Sequence, residues 1–258
     1  MKAVLFMGGY GSRLAEYTDN IPKPMIDLGG RPIILHIMDH YRFYGIRSFH
    51  MLLGYKAKYV KNYFIQMLND SVDLRIDYSR RDIKPLTENS LDIDVSLHDT
   101  GLDSLTGRRL NALRDFDLGD NFMLTYGDGL SNIDLGKLYD FHLEHNRILT
   151  MTVVRPTARF GEVGLDEHRV SSFIEKPQIN DGWINGGFFV ANKRIFDYLD
   201  GNDVMFEREP MQRLVADAQV AAYRHTDFWA CMDTKRDKDR LEDLWQSGAA
   251  PWHHGNIY

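Results

Sequence analysis

The chain of 258 residues is 43% hydrophobic with a formal net charge of −6, enough apolar material for a large α/β domain and no basic excess to hold nucleic acid. Its single cysteine, Cys231, excludes an internal disulfide framework, argues against structural zinc, and reads as a small buried hydrophobe in a reducing compartment. No signal peptide follows Met1 and no apolar run reaches membrane-spanning length, so a soluble cytoplasmic protein with no membrane partner is expected.

Residues 3–7, AVLFM, form a continuous apolar run closed by glycines, the pattern of a strand buried on both faces of a parallel sheet. Pro32 opens a helix to about Tyr44, with Ile34, Leu35, Ile37 and Met38 facing inward and Gly45 ending it. Residues 49–53 read as the second strand, 58–68 as a helix striped with Val60, Phe64, Ile65 and Leu68, and 72–78 as a third, alternating strand. This β-α-β-α-β order predicts a doubly wound sheet with right-handed crossovers. Residues 82–89 read as a polar loop, 91–97 as a strand, 99–109 as a loop rich in Thr, Ser and Gly, and 110–116 as a short helix. A strand over 122–125 leads straight into Tyr-Gly-Asp-Gly, followed by a helix over 135–145 and a strand over 149–154. Beyond Gly161, strands at 163–165, 170–174 and 183–190 have short connections and suggest an antiparallel subregion; helices return at 193–199, 205–218 and 235–246. Residues 252–258 read as a tail held against a neighbouring subunit. No linker, repeat or low-complexity stretch divides the chain.

Three glycines, Gly8, Gly9 and Gly11, follow the first strand in FMGGYGSRL (residues 6–14). Ligands of open parallel sheets bind beyond the carboxyl ends of the strands. There, glycines let backbone N–H groups approach a phosphate, and Arg13 adds a rigid fork of donors. As a dinucleotide fingerprint the loop lacks its third glycine, Leu14 standing in that place; as a P-loop it lacks the Gly-Lys-Ser/Thr step. A plain structural turn would not need Arg13. Lys23 lies between Pro22 and Pro24 on stiff, extended backbone, a second candidate phosphate ligand whose bland alternative is a solvated loop lysine. Asp128 and Asp233 each follow a short apolar stretch, which places them to converge at one sheet edge. On the residues alone, a turn aspartate for Asp128 and a helix N-cap for Asp233 remain the alternatives.

Taken together, GGYGSRL (8–14) and IPKPM (21–25) resemble the signature of the sugar-1-phosphate nucleotidyltransferases. TGLDSLTGRRL (100–110), TYGDGLSNID (125–134), FIEKP (173–177), INGGFFV (184–190) and the Met-Asp-Thr step at 232–234 follow in that family's order. YGDG, the 100–110 loop, RFG at 159–161 and Pro251-Trp252 resemble its glucose-1-phosphate cytidylyltransferase branch. The resemblance implies a Rossmann-like nucleotidyltransferase fold: a mixed, mostly parallel sheet flanked by helices, with a small antiparallel sugar-binding subregion. It implies one domain over 1–258, with a nucleotide-binding half over about 1–135 and a sugar-binding and C-terminal half over about 136–258. The implied substrates are CTP and a sugar 1-phosphate, glucose 1-phosphate first. The products would be pyrophosphate and CDP-glucose, which feeds deoxysugar synthesis for surface polysaccharide. Mg²⁺ is the implied cofactor, and a homo-oligomer the implied assembly, because the middle loop can come from a neighbouring subunit.

By the same resemblance Asp128 and Asp233 are Mg²⁺ ligands, and Arg13, Lys23 and Asp128 form the catalytic set, with Arg13 and Lys23 screening the triphosphate and the leaving pyrophosphate. Phe6, Met7, Gly8, Gly9, Tyr10, Gly11, Ser12 and Gly127 frame the nucleotide, joined by Ser104, Thr106 and Arg109 from the middle loop. Lys176 holds the sugar phosphate, with Glu162, Glu175, Asn185 and Gly186 toward the sugar. The chain departs from the family pattern at Phe6-Met7 (usually Leu-Ala), Ser12 (usually Thr), Leu102-Asp103 and Arg108. Within the same chemistry the alternatives are dTTP or UTP, or another sugar 1-phosphate. Outside it stand a nucleotide-binding regulator without catalysis and a nicotinamide enzyme, for which no acidic residue closes the second strand.

Overall fold

The computed structural model describes residues 1–87, 92–156, 162–166, 168–174 and 182–255. Seven strands make the central sheet: β1 (Lys2–Phe6), β2 (Ser48–Leu53), β3 (Asp94–Asp99), β4 (Asn121–Tyr126), β5 (Leu149–Val154), β6 (Ile184–Asn192) and β7 (Val220–His225). Their order is β7-β5-β6-β4-β1-β2-β3. All the pairings are parallel except those of β6, which runs against both β5 and β4, so the sheet is mixed and mostly parallel as expected.

β1 sits near the middle and feeds two cores in alternation. Ala3 and Leu5 join Ile33, Ile34 and Ile37 of α1 (Ile33–Phe43) and Val60 and Phe64 of α2 (Ala57–Asp70). Val4 and Phe6 face the other way, toward Leu110 of α3 (Thr106–Asn111), Leu113 and Phe122. A strand covered on both faces reads as a nearly continuous apolar run, and each fully buried Val or Leu contributes about 1.5–3 kcal/mol.

Local signals set the helix ends. Gly45 takes φ +78°, where the Ile46 N–H reaches back to the Tyr41 carbonyl (3.1 Å) and closes α1. Asp134 caps α4 (Leu135–His145) by accepting from the Lys137 N–H at 2.9 Å. α5 (Glu209–Ala216) carries a proline in its first turn. Thr234 and Asp237 form a reciprocal capping box at the start of α6 (Lys235–Gln246).

Four expectations need correction. The third parallel strand is β3, not residues 72–78: Leu74–Asp77 pairs antiparallel with Asp82–Pro85 in a separate hairpin, inside the stretch expected to be loop. Ile76 and Ile83 face each other there but remain about half exposed, which suits a one-sided hairpin rather than a strand covered on both faces. The helix expected at 110–116 begins earlier, at Thr106, because that segment is stitched to residues 203–207. Strands Val220–His225 and Trp229–Cys231 were not anticipated. Trp252 belongs to no loose tail: it is buried in the same core as Leu5 and packs against Phe228 and His36. Among the described residues no helix is long and apolar enough to cross a membrane.

Candidate active site

From β1 the chain moves outward to β2 and β3, then returns to place β4 on the other side of β1. The crevice beyond the carboxyl ends of β1 and β4 is the switch point where open α/β sheets bind ligands. A cavity of about 600 Å³ opens there, lined by Phe6 through Arg13, Lys23, Leu102 through Thr106, Arg109, Tyr126 through Asp128, and Asp233. A neighbouring cavity of about 250 Å³ is lined by Thr125 through Gly129 and by Asn185, Gly186, Gly187, Trp229 and Cys231, Thr125 to Gly129 excepting Gly127. Tyr126 and Asp128 border both.

The glycine loop is built for close approach. Gly11 takes φ +65°, and a Cβ there would lie 2.7 Å from Thr18. The Gly11 carbonyl accepts from the Leu14 N–H and the Thr18 hydroxyl, which turns the loop and leaves Ser12 and Arg13 exposed along the cavity. The loop is anchored to the sheet by Met7 N–H to the Leu52 carbonyl and Gly127 N–H to the Phe6 carbonyl, each 3.0 Å. Phe6 stacks on Tyr126 with centroids 5.5 Å apart.

Trp229–Cys231 pairs antiparallel with Gly129–Ser131, so residues a hundred apart in sequence meet and bring Asp233 beside Asp128. The Lys23 ammonium sits between the two carboxylates, 2.6 Å from Asp128 Oδ2 and 2.6 Å from Asp233 Oδ1, and Arg13 donates to the other oxygen of Asp233. Burial would weaken the Lys23 charge, but the Asp128 charge and the hydrogen bonds to Asp128 and Asp233 together outweigh it and lift its pKa above the ordinary lysine value. Burial likewise opposes the Asp233 charge, and the hydrogen bonds and charges of Lys23 and Arg13 outweigh it and hold the carboxyl below its usual value. The N-cap alternative for Asp233 is not what the structure contains, since Thr234 takes that position. Cys231 also stands here: one ligand atom each from Asp128, Cys231 and Asp233 lie within 4.8 Å of one another. Burial, then the Asp128 charge, pushes its thiol pKa well up, so it faces the cavity as a neutral group.

On the small-cavity side, Asn185 Oδ1 accepts from the Gly187 N–H (2.9 Å) and Trp229 Nε1 donates to the Gly186 carbonyl (2.7 Å), which fixes this bend of β6. A Cβ at Gly186 would press on Val154 at 2.9 Å. Glu162 begins the antiparallel hairpin Glu162–Asp166/Arg169–Ile174. Glu175 and Lys176, like residues 159–161, lie outside the described residues.

The middle loop lines the large cavity with Ser104, Thr106 and Arg109, and the same side chains brace it from within the chain. Arg109 lines the large cavity, yet it is only 4% exposed and its guanidinium is occupied by its own chain. It donates to the carbonyls of Leu53 (2.8 Å), Gly101 (2.7 Å), Gly8 (3.1 Å) and Leu102 (3.1 Å) and to the Thr100 hydroxyl (2.7 Å). A Cβ on Gly8 or on Gly54 would fall within 2.6 Å of that guanidinium, so both positions need glycine. Ser104 donates to the Thr100 carbonyl and Thr106 to Glu207, both at 2.6 Å, and Tyr10 donates to Asp103 across the mouth of the cavity. Sequence reasoning did not single out Tyr126, Glu207 or Trp229, and it read Cys231 as a small buried hydrophobe, whereas the side chain is half-buried and lines the small cavity. Tyr126 lay within the YGDG segment, whereas Glu207 and Cys231 carry no pattern of their own.

A nucleotidyl transferase family profile matches residues 2–234. The chain belongs to the nucleotidyl transferase family. It is 39% identical over 253 residues to the glucose-1-phosphate cytidylyltransferases of Salmonella typhi and Salmonella typhimurium, spanning 98% of this chain and 98% of each relative. To the mannose-1-phosphate guanylyltransferase of Mycobacterium tuberculosis it is 31% identical, over 96% of this chain and 66% of that one. Among solved structures, the inositol-1-phosphate CTP transferase of T. maritima superposes with a TM-score of 0.68 at 15% identity, over 100% of this chain and 98% of that chain. A Yersinia pseudotuberculosis protein, HddC, complexed with GMP-PN, superposes with a TM-score of 0.68 at 20% identity, over 95% and 99%. At such identities the likeness carries the transferase fold alone.

Proposed function

We propose that this transferase moves a cytidylyl group from CTP to glucose 1-phosphate, giving CDP-glucose and pyrophosphate. The observation that carries the chemistry is the Lys23–Asp128–Asp233 cluster at the junction of a large and a small cavity. The choice of CTP and glucose 1-phosphate rests on the full-length likeness to the Salmonella enzymes.

In this reading the nucleotide lies along the glycine loop, its α-phosphorus beside Asp128, and the sugar 1-phosphate enters from the small cavity. Its phosphate oxygen is already an anion and attacks without a general base. The chain's task is to align two polyanions and to offset the charge that develops at phosphorus. Arg13, exposed along the glycine loop, is free to swing from Asp233 toward the leaving pyrophosphate; Lys23, more enclosed, stays near the α-phosphate. Asn185 and the backbone at Gly186 meet the sugar.

The donor set suits a divalent cation. Asp128 and Asp233 offer hard oxygen atoms within 4.8 Å, and Lys23 stands between them as a cation that a metal would displace. Mg²⁺ held there would supply positive charge to the phosphate oxygens. The neutral thiol of Cys231 adds nothing for so hard an ion. A cytoplasmic homo-oligomer completes the proposal, supported by Leu102 and Leu105, which stay exposed at the cavity rim; sedimentation would test it.

The test is a panel of CTP, dTTP, UTP, ATP and GTP against glucose 1-phosphate and other hexose 1-phosphates with Mg²⁺, followed by pyrophosphate release. CTP with glucose 1-phosphate is expected to turn over fastest. A faster alternative pair would overturn the substrate assignment, and no release with any pair would overturn the transferase chemistry.

A further inference from the structure

We infer that Glu207 is a positioning residue that ties the nucleotide cavity to the sugar-phosphate cavity; the identity of the two ligands rests on the reading above, but the tie itself is in the free protein. Glu207 lines neither cavity. Its Oε1 accepts from the Tyr126 hydroxyl at 2.5 Å and its Oε2 from the Thr106 hydroxyl at 2.6 Å. Each donor belongs to a different wall. Thr106 ends the loop that lines the large cavity, and Tyr126 stands between the large cavity and the small one.

Both ends of this bridge are stiff, so a carboxylate between them transmits displacement. On the loop side, Leu105 N–H donates to Asp203 Oδ1 (2.8 Å), Gly107 N–H to the Val204 carbonyl (2.9 Å) and Phe206 N–H to the Thr106 hydroxyl (2.9 Å). Gly107 has no room for a side chain, since a Cβ would sit 2.7 Å from the Val204 carbonyl. Segment 203–207 and the loop therefore move as one body. On the other side, the Tyr126 ring is fixed by Phe6, 5.5 Å away and stacked, and by Phe189, 5.9 Å away and edge-on, while a Cβ at Gly187 would touch it at 2.7 Å. The carboxylate is held by two hydroxyl donors, an arrangement in which it serves two groups at once and neither donor can shift without the other. A nucleotide that draws the 102–106 loop inward pulls Tyr126 with it and reshapes the mouth of the sugar-phosphate cavity. Binding of the first substrate thereby favours binding of the second.

The test compares Glu207→Ala with Glu207→Gln. The glutamine keeps an acceptor for Tyr126 and gains a donor for Thr106, so both tethers persist. In the ligand-free protein, amide exchange at Gly107 and at Gly127 is expected to accelerate tenfold or more in Glu207→Ala and to stay near wild type in Glu207→Gln, with Leu5 of the central strand unchanged in both. Acceleration at Gly107 alone, or equally at Leu5, would overturn the tie, because Glu207 would then be a local or a global structural support. With ligands, an unreactive CTP analogue is expected to tighten glucose 1-phosphate binding at least fivefold in wild type and in Glu207→Gln, and not in Glu207→Ala. Equal tightening in all three would also overturn it. If wild type binds neither ligand, the substrate assignment fails while the exchange measurement still decides the role of Glu207.

Discussion

Replacing Arg109 by lysine separates two explanations of the middle loop. The guanidinium makes five hydrogen bonds, to Leu53, Thr100, Gly101, Gly8 and Leu102, from a position that is 4% exposed. An ammonium has three donors and no planar fork. The Leu53 carbonyl keeps the N–H and hydroxyl of Thr100, so the carbonyls that depend on the guanidinium are those of Gly8, Gly101 and Leu102. One of these left unmatched in the interior costs about 1–3 kcal/mol. In a protein of this length 1 kcal/mol moves Tm by about 2–4 °C, so Arg109→Lys is expected to lower it by about 2–12 °C in a calorimetric scan. The KM for CTP should rise as well, because the glycine loop and the middle loop lose their common anchor at Gly8 and Gly101. Gly8→Ala and Gly54→Ala should reproduce both effects, since either Cβ would press on the same guanidinium. A variant whose melting is within 1 °C of wild type, yet whose KM for CTP rises tenfold, would refute this reasoning: Arg109 would then act on the nucleotide directly.

Replacing Lys23 by methionine leaves Asp128 and Asp233 facing each other without their shared cation; Mn²⁺ binding to the free protein, measured by calorimetry, should tighten while pyrophosphate release falls by at least about tenfold. Stability should fall with acid below about pH 6.5. Burial lowers His36 to about 4, His40 to about 3 and His142 to about 4. Unfolded histidine takes up its proton near pH 6.5, so between there and pH 4 the unfolded chain binds more protons, and each histidine costs about 1.4 kcal/mol per pH unit. Urea unfolding at pH 5.5 should therefore give a stability about 3–4 kcal/mol below that at pH 7. Trp252→Ala opens a cavity beside His36 and Phe228 and should cost about 3–5 kcal/mol, read from the same urea curves.

Legibility in the sequence followed the range of the interaction. Leu135–His145, Leu149–Val154 and Lys235–Gln246 fall where the pattern placed them, because Asp134 and the Thr234–Asp237 box sit beside the helices they start. An alternating run such as 72–78 announces a strand but not its partner, and only the exposure of Ile76 and Ile83 shows why it left the main sheet. At the site, Arg13, Lys23, Asp128 and Asp233 stood within short motifs, and the structure gathers them through one small antiparallel ladder. Arg109 illustrates the opposite case. Its motif was visible, but an arginine that serves carbonyls on three segments looks in sequence like one that serves a phosphate. Glu207 had no signal, because its two partners lie 81 and 101 residues away.

Trp252 shares a core with Leu5, so the first strand and a residue near 250 close the same interior. A chain emerging from the ribosome with β1 through β6 already made still lacks β7, Asp233 and this indole. It cannot seal the sheet edge at β5, fill the core or assemble its charged centre. Packing is cooperative, and here one core draws on residues from Ala3 to Trp252. Native folding therefore waits until synthesis has passed residue 252, and until then a growing chain exposes apolar surface that chaperones, rather than its own packing, must cover.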